Sequence, residues 1–433
     1  MSKIAVLGTG MSAFGAAHRL TGESVDVMLY DKASFFGGQT VSFRSPSGFT
    51  FDKGPHVSFT KDERIQAILA EAVDGQFETV QYQLENHWKG YRLPHPVQTN
   101  MHGLPVEVMA RVIEDFVKQS AAPTEIRNYD DWLLAAYGRY FADNFPVQYT
   151  EKYHTTSPRN LTTEWIGPRM YKPSLEELLR GALAPATRNV HYITGFRYPS
   201  RGGFMSYLEK WAQRATMKLG HEVVRIDPAH HLLTFGNGTQ ERYDALVSSI
   251  ALPDLVPLIV GVPDDVRAAA ARLACSGCVL VNVGVRRPDL TPAHISYYYD
   301  RDIVFSRTSS PHLMSPHNVP PGCGAIQAEV YFSKKYMPLS GQPSDYLQPV
   351  IRDLKRVGLL REDDEILFTD TKLIEYANII FDHDRPQALR TVHGFLDDQR
   401  IRHCGRYGDW AYYWTDDSYK SGETAATLAL ADL

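Results

Sequence analysis

The chain has 433 residues, 43% of them hydrophobic and 11% aromatic, enough to bury the cores of two or three domains. Its formal net charge is -5, and no basic run with interleaved aromatics offsets it, which argues against a nucleic-acid surface and leaves any anionic ligand to local arginines. No uninterrupted apolar run reaches the ~18 residues of a membrane span, and the first strand begins at once without a leader, so the expected setting is cytoplasmic.

The first element, Lys3-Ile4-Ala5-Val6-Leu7, is a short β-rich run that enters Gly8-Thr9-Gly10-Met11-Ser12-Ala13, the Gly-x-Gly-x-x-Gly/Ala form of a dinucleotide fingerprint. Gly8 permits the tight turn, Gly10 lets backbone N–H groups approach a pyrophosphate, and Ala13 lets the helix through Leu20 pack on the strand. A second strand, Val25 to Tyr30, ends at Asp31, placed to accept the hydroxyls of an adenosine ribose, with Lys32 beside it. These features allow NAD or FAD. The next stretch, Phe35-Phe36-Gly37-Gly38-Gln39, resembles the glycine doublet of FAD proteins of the amine oxidase and glutathione reductase type, which selects FAD.

Val41 to Phe51 reads as a hairpin turning at Pro46-Ser47-Gly48, and it delivers Asp52-Lys53-Gly54-Pro55-His56. Gly54-Pro55 forces a non-helical backbone, so His56 is presented on a rigid loop expected to face the flavin. Period-3.6 apolar residues then predict helices over Lys61 to Val73, Val106 to Gln119 and Tyr129 to Phe141, the first with a capping box at Thr60-Lys61-Asp62-Glu63. Arg92 to Val97 is an extended, proline-pinned stretch within this region. Tyr149-Thr150-Glu151-Lys152-Tyr153-His154, followed by Leu161 to Arg169, mixes aromatic and charged residues without an amphipathic period, as a pocket lining does.

After a turn at Tyr198 to Phe204 comes a helix, Met205 to Leu219, and three strands, Glu222 to Ile226, Leu232 to Phe235 and Tyr243 to Ile250, read as the return to the nucleotide domain. His230-His231 lies in a turn between them and is read as solvated. Cys275 and Cys278, a Cys-x-x-Cys pair, lead into an apolar strand and are read as packing; Cys323 and Cys404 complete no zinc pattern. Strands Val279 to Val285, His294 to Tyr299 and Ala325 to Tyr331 build a second sheet, with Phe305-Ser306-Arg307 between the last two. Gly405-Arg406-Tyr407-Gly408 turns out of a strand, and a small-residue helix from Ser421 to Leu430 is expected to offer a bare N-terminus to an anion.

The expected fold class is α/β: a Rossmann-type FAD-binding domain with an inserted helical region and a second, substrate-domain β-sheet. Its discontinuous parts are residues 1–60, 220–255 and 396–433 for FAD, 61–195 for the helical region, and 196–219 with 256–395 for the substrate domain. No repeats or low-complexity linkers separate them.

Over nearly its whole length the chain resembles the FAD proteins that include UDP-galactopyranose mutase and, more loosely, protoporphyrinogen oxidase and the amine oxidases. The strings that carry this are Gly54-Pro55-His56, Tyr149-Thr150-Glu151-Lys152, Phe305-Ser306-Arg307, and Gly405-Arg406-Tyr407-Gly408 with Tyr412-Tyr413 behind it. The resemblance implies a reduced flavin whose N5 attacks the anomeric carbon of a nucleotide-activated sugar and expels the diphosphate, the substrate being a small anionic molecule. It implies catalytic roles for Arg307, Arg169, His56 and Tyr412, and adds Val223, Gly405, Arg406, Ser418 and Tyr419 to the flavin contacts. Mutases usually carry a tryptophan–glycine pair after the Tyr-Thr-Glu-Lys string, where this chain has Tyr153-His154-Thr155-Thr156. Asp409-Trp410-Ala411-Tyr412-Tyr413-Trp414 is also altered, which points to a different sugar or substrate. The alternative is an oxidoreductase of the protoporphyrinogen oxidase or amine oxidase type, in which oxidised flavin removes a hydride; a flavin-binding protein without catalysis is a third reading.

Overall fold

The computed structural model describes residues 1–120, 125–185 and 192–433. The expected helical region, 61–195, therefore falls partly outside the described residues.

Strand β1 (Ser2–Leu7), helix α1 (Met11–Leu20) and strand β2 (Val25–Tyr30) form the first β-α-β unit, with β1 and β2 parallel from Ser2 opposite Val25 to Leu7 opposite Tyr30. β1 occupies the centre of a five-stranded parallel sheet in the order Ile401–His403, Ala245–Ser248, β1, β2, Met217–Lys218. Its middle is apolar on both faces, as a sheet covered on both sides requires: Ile4, Val6, Ala245 and Val247 face one core and Ala5, Leu7 and Leu246 the other. The Thr415–Ala431 helix packs along α1, and the contact has no room for side chains at its crossing. A Cβ on Gly15 would strike the carbonyl of Tyr419, and one on Gly422 the carbonyl of Ser12.

A second sheet has seven strands, in the order Ile366–Ile379, Cys275–Val285, Gly324–Ser333, Arg307–Ser309, Ile295–Tyr298, Leu84–Trp88, Tyr91–Pro94. Its pairings are antiparallel except for Ile295–Tyr298 on Leu84–Trp88. Helix Pro146–Tyr153 packs on its Gly324–Ser333 strand, and helices Val106–Ser120, Tyr129–Tyr137 and Arg139–Asn144 pack with it and with one another. Among the described residues no helix is long and apolar enough to cross a membrane.

Several boundaries differ from the sequence reading. Leu84–Trp88 and Tyr91–Pro94, assigned to the helical insert, form the edge of the large sheet, because register with Ile295–Tyr298 decides their partner and lies about 200 residues away in sequence. Met217–Lys218, assigned to the substrate domain, pairs with β2 in the nucleotide sheet; two residues are too few to leave a periodic signal. Of the three strands read as the return to the nucleotide domain, Ala245–Ser248 pairs into the parallel sheet, while Val223–Asp227 and Leu232–Phe235 join Gln240–Arg242 in a sheet of their own. The helix expected at Ser421 begins at Thr415, so Ser421 lies in its second turn and the bare N-terminus expected there does not exist. Asp62, and not Thr60, caps the Glu63–Ala72 helix, accepting from Arg64 N and Ile65 N.

Candidate active site

A cavity of about 1060 Å³ runs from the first glycine turn, under the Gly54–His56 loop, to the large sheet and the helices above it. Its size is at the upper end of small-molecule sites, which span ~300–1,000 Å³.

At the nucleotide end the chain leaves β1 through Gly8, whose φ of +118° favours glycine and whose N–H donates to Tyr30 O at 2.7 Å. Gly10 is the N-cap of α1, with no side-chain cap and no acidic residue in the first turn, so the helix leaves its first N–H donors for an anion. Gly10 itself has an ordinary φ of -86°, and a Cβ there would come no nearer to the protein than 3.8 Å, at Gly38 Cα. The protein's own packing does not demand glycine at this position. Space for a ligand's approach does, which is how the pyrophosphate of FAD would use it.

The Asp31 carboxylate accepts from Thr9 Oγ1 at 2.6 Å and from Ala33 N at 2.9 Å, which orients it while leaving lone pairs for a ribose. Lys53 also lines this end, its ammonium pulled down from the ordinary lysine value by burial although Asp31 opposes the shift. The residues present fit FAD: an uncapped helix N-terminus for the pyrophosphate and an oriented acid for the ribose.

At the far end the floor of the cavity is one row across the large sheet. Tyr297, Arg307, Glu329 and Leu280 are successive cross-strand partners, so all four side chains share a face. Arg307 gives Glu329 a bidentate pair, Nε to Oε1 at 2.8 Å and Nη2 to Oε2 at 2.7 Å, and Nη2 also reaches Tyr331 OH at 3.3 Å. Burial would lower the Arg307 guanidinium, but Glu329 acting together with Tyr331, Tyr153 and Tyr149 outweighs it and holds it well above the ordinary value. Nη1 makes no hydrogen bond among the described residues and remains for a ligand.

Two further arginines line the cavity. Arg169 lies 4.2 Å over the Tyr412 ring and donates to Tyr412 O at 2.8 Å and Trp165 O at 3.1 Å, while its buried Nε has no partner among the described residues. Arg406 donates to Tyr413 O and Ala377 O, and no carboxylate pairs with it among the described residues. Tyr149, Tyr153, Tyr297, Tyr331 and Tyr412 supply aromatic walls, with Tyr153 OH 3.3 Å from Tyr412 OH. Burial pushes the Tyr297 phenol up to about 12 and those of Tyr149, Tyr153 and Tyr331 well above the ordinary value, so these four stay neutral near pH 7.

His56 donates from Nδ1 to Gly54 O at 2.8 Å, the only role a carbonyl partner allows. Burial, with smaller help from Arg406, Arg307 and Lys53, pulls its ring down to about 4. It is therefore neutral at pH 7, and its Nε2 is an acceptor.

Of the residues singled out in sequence, Gly8, Gly10, Met11, Ser12, Asp31, Lys32, Gly38, Gln39, His56, Arg169, Val223, Arg307, Gly405, Arg406, Tyr412 and Ser418 line the one cavity. Ala13 and Gly37 stand behind it; Gly37 is fixed by a φ of +113° and by its N–H to Thr9 O. Tyr419 turns away: its hydroxyl meets His18 Nδ1 at 2.8 Å within the contact between α1 and the last helix. The string Tyr149–His154 is helical through Tyr153, with His154 as the C-cap of Pro146–Tyr153, and presents Tyr149, Thr150, Tyr153 and His154 to the cavity. Lys152 points elsewhere, donating to Tyr298 O and Asp300 O at 3.0 Å each, and burial pulls it down to about 7.

Glu329, Tyr331 and Lys53 were missed as site residues. The available signal was Gln327, Glu329 and Tyr331 at period two in an otherwise apolar strand. Cys275 and Cys278 are free thiols on one strand, and Cys278 lines the cavity.

The profile of the flavin containing amine oxidoreductase family matches residues 14–430. Among solved structures, a reduced UDP-galactopyranose mutase superposes with a TM-score of 0.91 at 26% identity, over 100% of this chain and 94% of that one. A protein of Exiguobacterium sp. 255-15 assigned as a protoporphyrinogen oxidase superposes with a TM-score of 0.75 at 16% identity, over 99% of each chain. A putrescine oxidase double mutant gives 0.66 at 12% identity, again over 99% of each. The last two are likenesses of fold.

Proposed function

The chain belongs to the flavin-containing amine oxidoreductase family, with FAD as cofactor, and from that premise we propose a mutase-like reaction on a nucleotide-linked sugar, run through reduced flavin without net redox change. The supporting observation is that Arg169, Arg307 and Arg406 converge on the same cavity as the dinucleotide fingerprint. An expelled diphosphate needs fixed cations at its oxygens, and guanidinium groups match that geometry better than ammonium groups.

FAD in its reduced form supplies an electron-rich ring nitrogen as nucleophile. The protein's part is placement. Glu329 holds Arg307 in one orientation, leaving Nη1 for a phosphate oxygen; Arg169, stacked on Tyr412, brings a second cation to the same cavity. The hydroxyls of Tyr153 and Tyr412 can donate to the same oxygens, and the aromatic walls keep bulk water from the reacting centre. His56 Nε2 can accept a proton from a sugar hydroxyl without adding charge beforehand.

A second reading, hydride removal by oxidised flavin, draws support from the same tyrosine-rich walls and from the neutralisation of Arg307 by Glu329. Turnover of candidate nucleotide sugars by oxidised and by dithionite-reduced protein separates the two. We expect product only from reduced enzyme, with activity lost on aeration. Anaerobic bleaching of the oxidised flavin by a substrate, with stoichiometric oxidised product, would overturn the mutase reading in favour of the oxidase.

A further inference from the structure

The strap from Gly405 to Trp414 joins the last strand of the parallel sheet to the last helix, and Gly405, Arg406, Tyr412 and Tyr413 line the cavity from it. Its middle residue, Asp409, does not line the cavity, and the functional reading above gives it no task. The Asp409 carboxylate accepts from His403 Nδ1 at 2.6 Å through Oδ1, and from the Ser421 hydroxyl through Oδ2. Ser421 Oγ in turn accepts the N–H of Gly405 at 2.9 Å.

One carboxylate thus ties the strand end, the strap and the second turn of the helix together, and the tie ends on the backbone of a cavity residue. His403 is held in place by a parallel stack on His393, with centroids 3.8 Å apart, and His393 donates from Nε2 to Gly408 O at 3.0 Å. Gly405 has little freedom to relax: its φ is +76°, and a Cβ there would lie 2.5 Å from Ser12 Oγ, on the fingerprint turn itself.

We propose that Asp409, oriented by His403, is a positioning residue for FAD: through Ser421 it fixes the N–H of Gly405 and with it the wall that Gly405 and Arg406 present to the flavin. The chemistry requires an acceptor at both oxygens. An asparagine in its place turns an N–H₂ toward one of the two donors, and Ser421 without its hydroxyl leaves the Gly405 N–H unpaired. The role concerns the cofactor and holds whichever substrate the enzyme takes.

The test is the FAD dissociation constant of reconstituted protein, read by flavin fluorescence, together with the flavin absorption spectrum and the melting temperature of each variant. Asp409→Asn and Ser421→Ala should each weaken FAD binding by about tenfold or more, since each breaks the tie at Ser421. His403→Asn keeps an N–H at the reach of Nδ1 and should hold FAD within about threefold of the unaltered protein, while His403→Ala should lose as much as Asp409→Asn. A merely structural tie would lower the melting temperature without separating the two His403 variants. Should Asp409→Asn fail to fold, the His403 pair and Ser421→Ala decide the matter. FAD affinity and spectrum unchanged in Ser421→Ala, or His403→Asn no better than His403→Ala, would overturn the proposal.

Discussion

At the scale of single residues the site turns on Arg307, and its partner decides how a substitution there must be read. Arg307→Ala removes a ligand contact and also strands the Glu329 carboxylate, only 2% exposed, at an expected cost of about 3 to 5 kcal/mol in stability. The informative variant is therefore the double, Arg307→Ala with Glu329→Gln, in which no buried charge is left over. Its thermal stability should recover most of the loss, its flavin content should match the unaltered protein, and kcat/KM should stay down by a factor on the order of 10² to 10³, about 3 to 4 kcal/mol of transition-state stabilisation. A double variant with normal kcat/KM would remove Arg307 from the chemistry. Arg307 was legible because it stood in a recognisable string, whereas Glu329 was not, since pairing across neighbouring strands is set by register and the sequence carries only the alternation around it.

At the scale of elements, two glycines of the first β-α-β unit and its covering helix should behave in opposite ways. Gly10 is surrounded by ordinary distances and an ordinary φ, so Gly10→Leu should leave the apoprotein folded and block the cofactor, giving a colourless protein with a near-normal melting temperature. Gly422 lies where a methyl group would overlap the carbonyl of Ser12, so Gly422→Ala should push α1 and the last helix apart at a cost of about 1 to 3 kcal/mol or more. Its flavin loss would follow from instability. Full flavin occupancy in Gly10→Leu would sink the assignment of the turn to the pyrophosphate. The fingerprint could be read in advance because strand, turn, helix and acid lie within about 30 residues, the range over which local pattern decides structure. The start of the last helix is less legible, since the small residues from Ser421 carry the visible pattern, whereas its first turn is marked by Asp417, which accepts the Trp414 N–H at 3.0 Å.

At the scale of the whole molecule, the fold buries more neutral histidine than buried carboxylic acid can offset, and this fixes the side from which pH destabilises it. His56, His154, His312 and His393 are each pulled down to about 4, chiefly by burial, whereas in the unfolded chain they titrate near ~6.5. As pH falls from 6.5 toward 4 the unfolded chain takes up protons that the folded chain refuses, so stability drops throughout that window. His154, only 4% exposed, accounts by itself for on the order of 3 kcal/mol across the window.

Asp52 works in the other direction. It is pushed up to about 6 by burial despite accepting from Ser42, Phe204 N and Tyr198, so it binds its proton earlier in the folded state and adds stability as pH falls below 6. Asp300 is raised as well, chiefly by burial, while burial also lowers His18 and His294, so among the described residues two such acids stand against six histidines, four of them held near 4. Glu85, where burial is outweighed by hydrogen bonds from His87 and Arg92, is held down to about 2, and its contribution is lost mainly below pH 4.5. Thermal melts of the holoprotein should therefore show the midpoint falling steadily from pH 6.5 to 4.5, and His154→Gln should flatten that fall by relieving one of the four. A midpoint constant from pH 7 to 4.5 would mean that the buried rings gain protons without cost, and the cavity wall at His154 would then have to be wet.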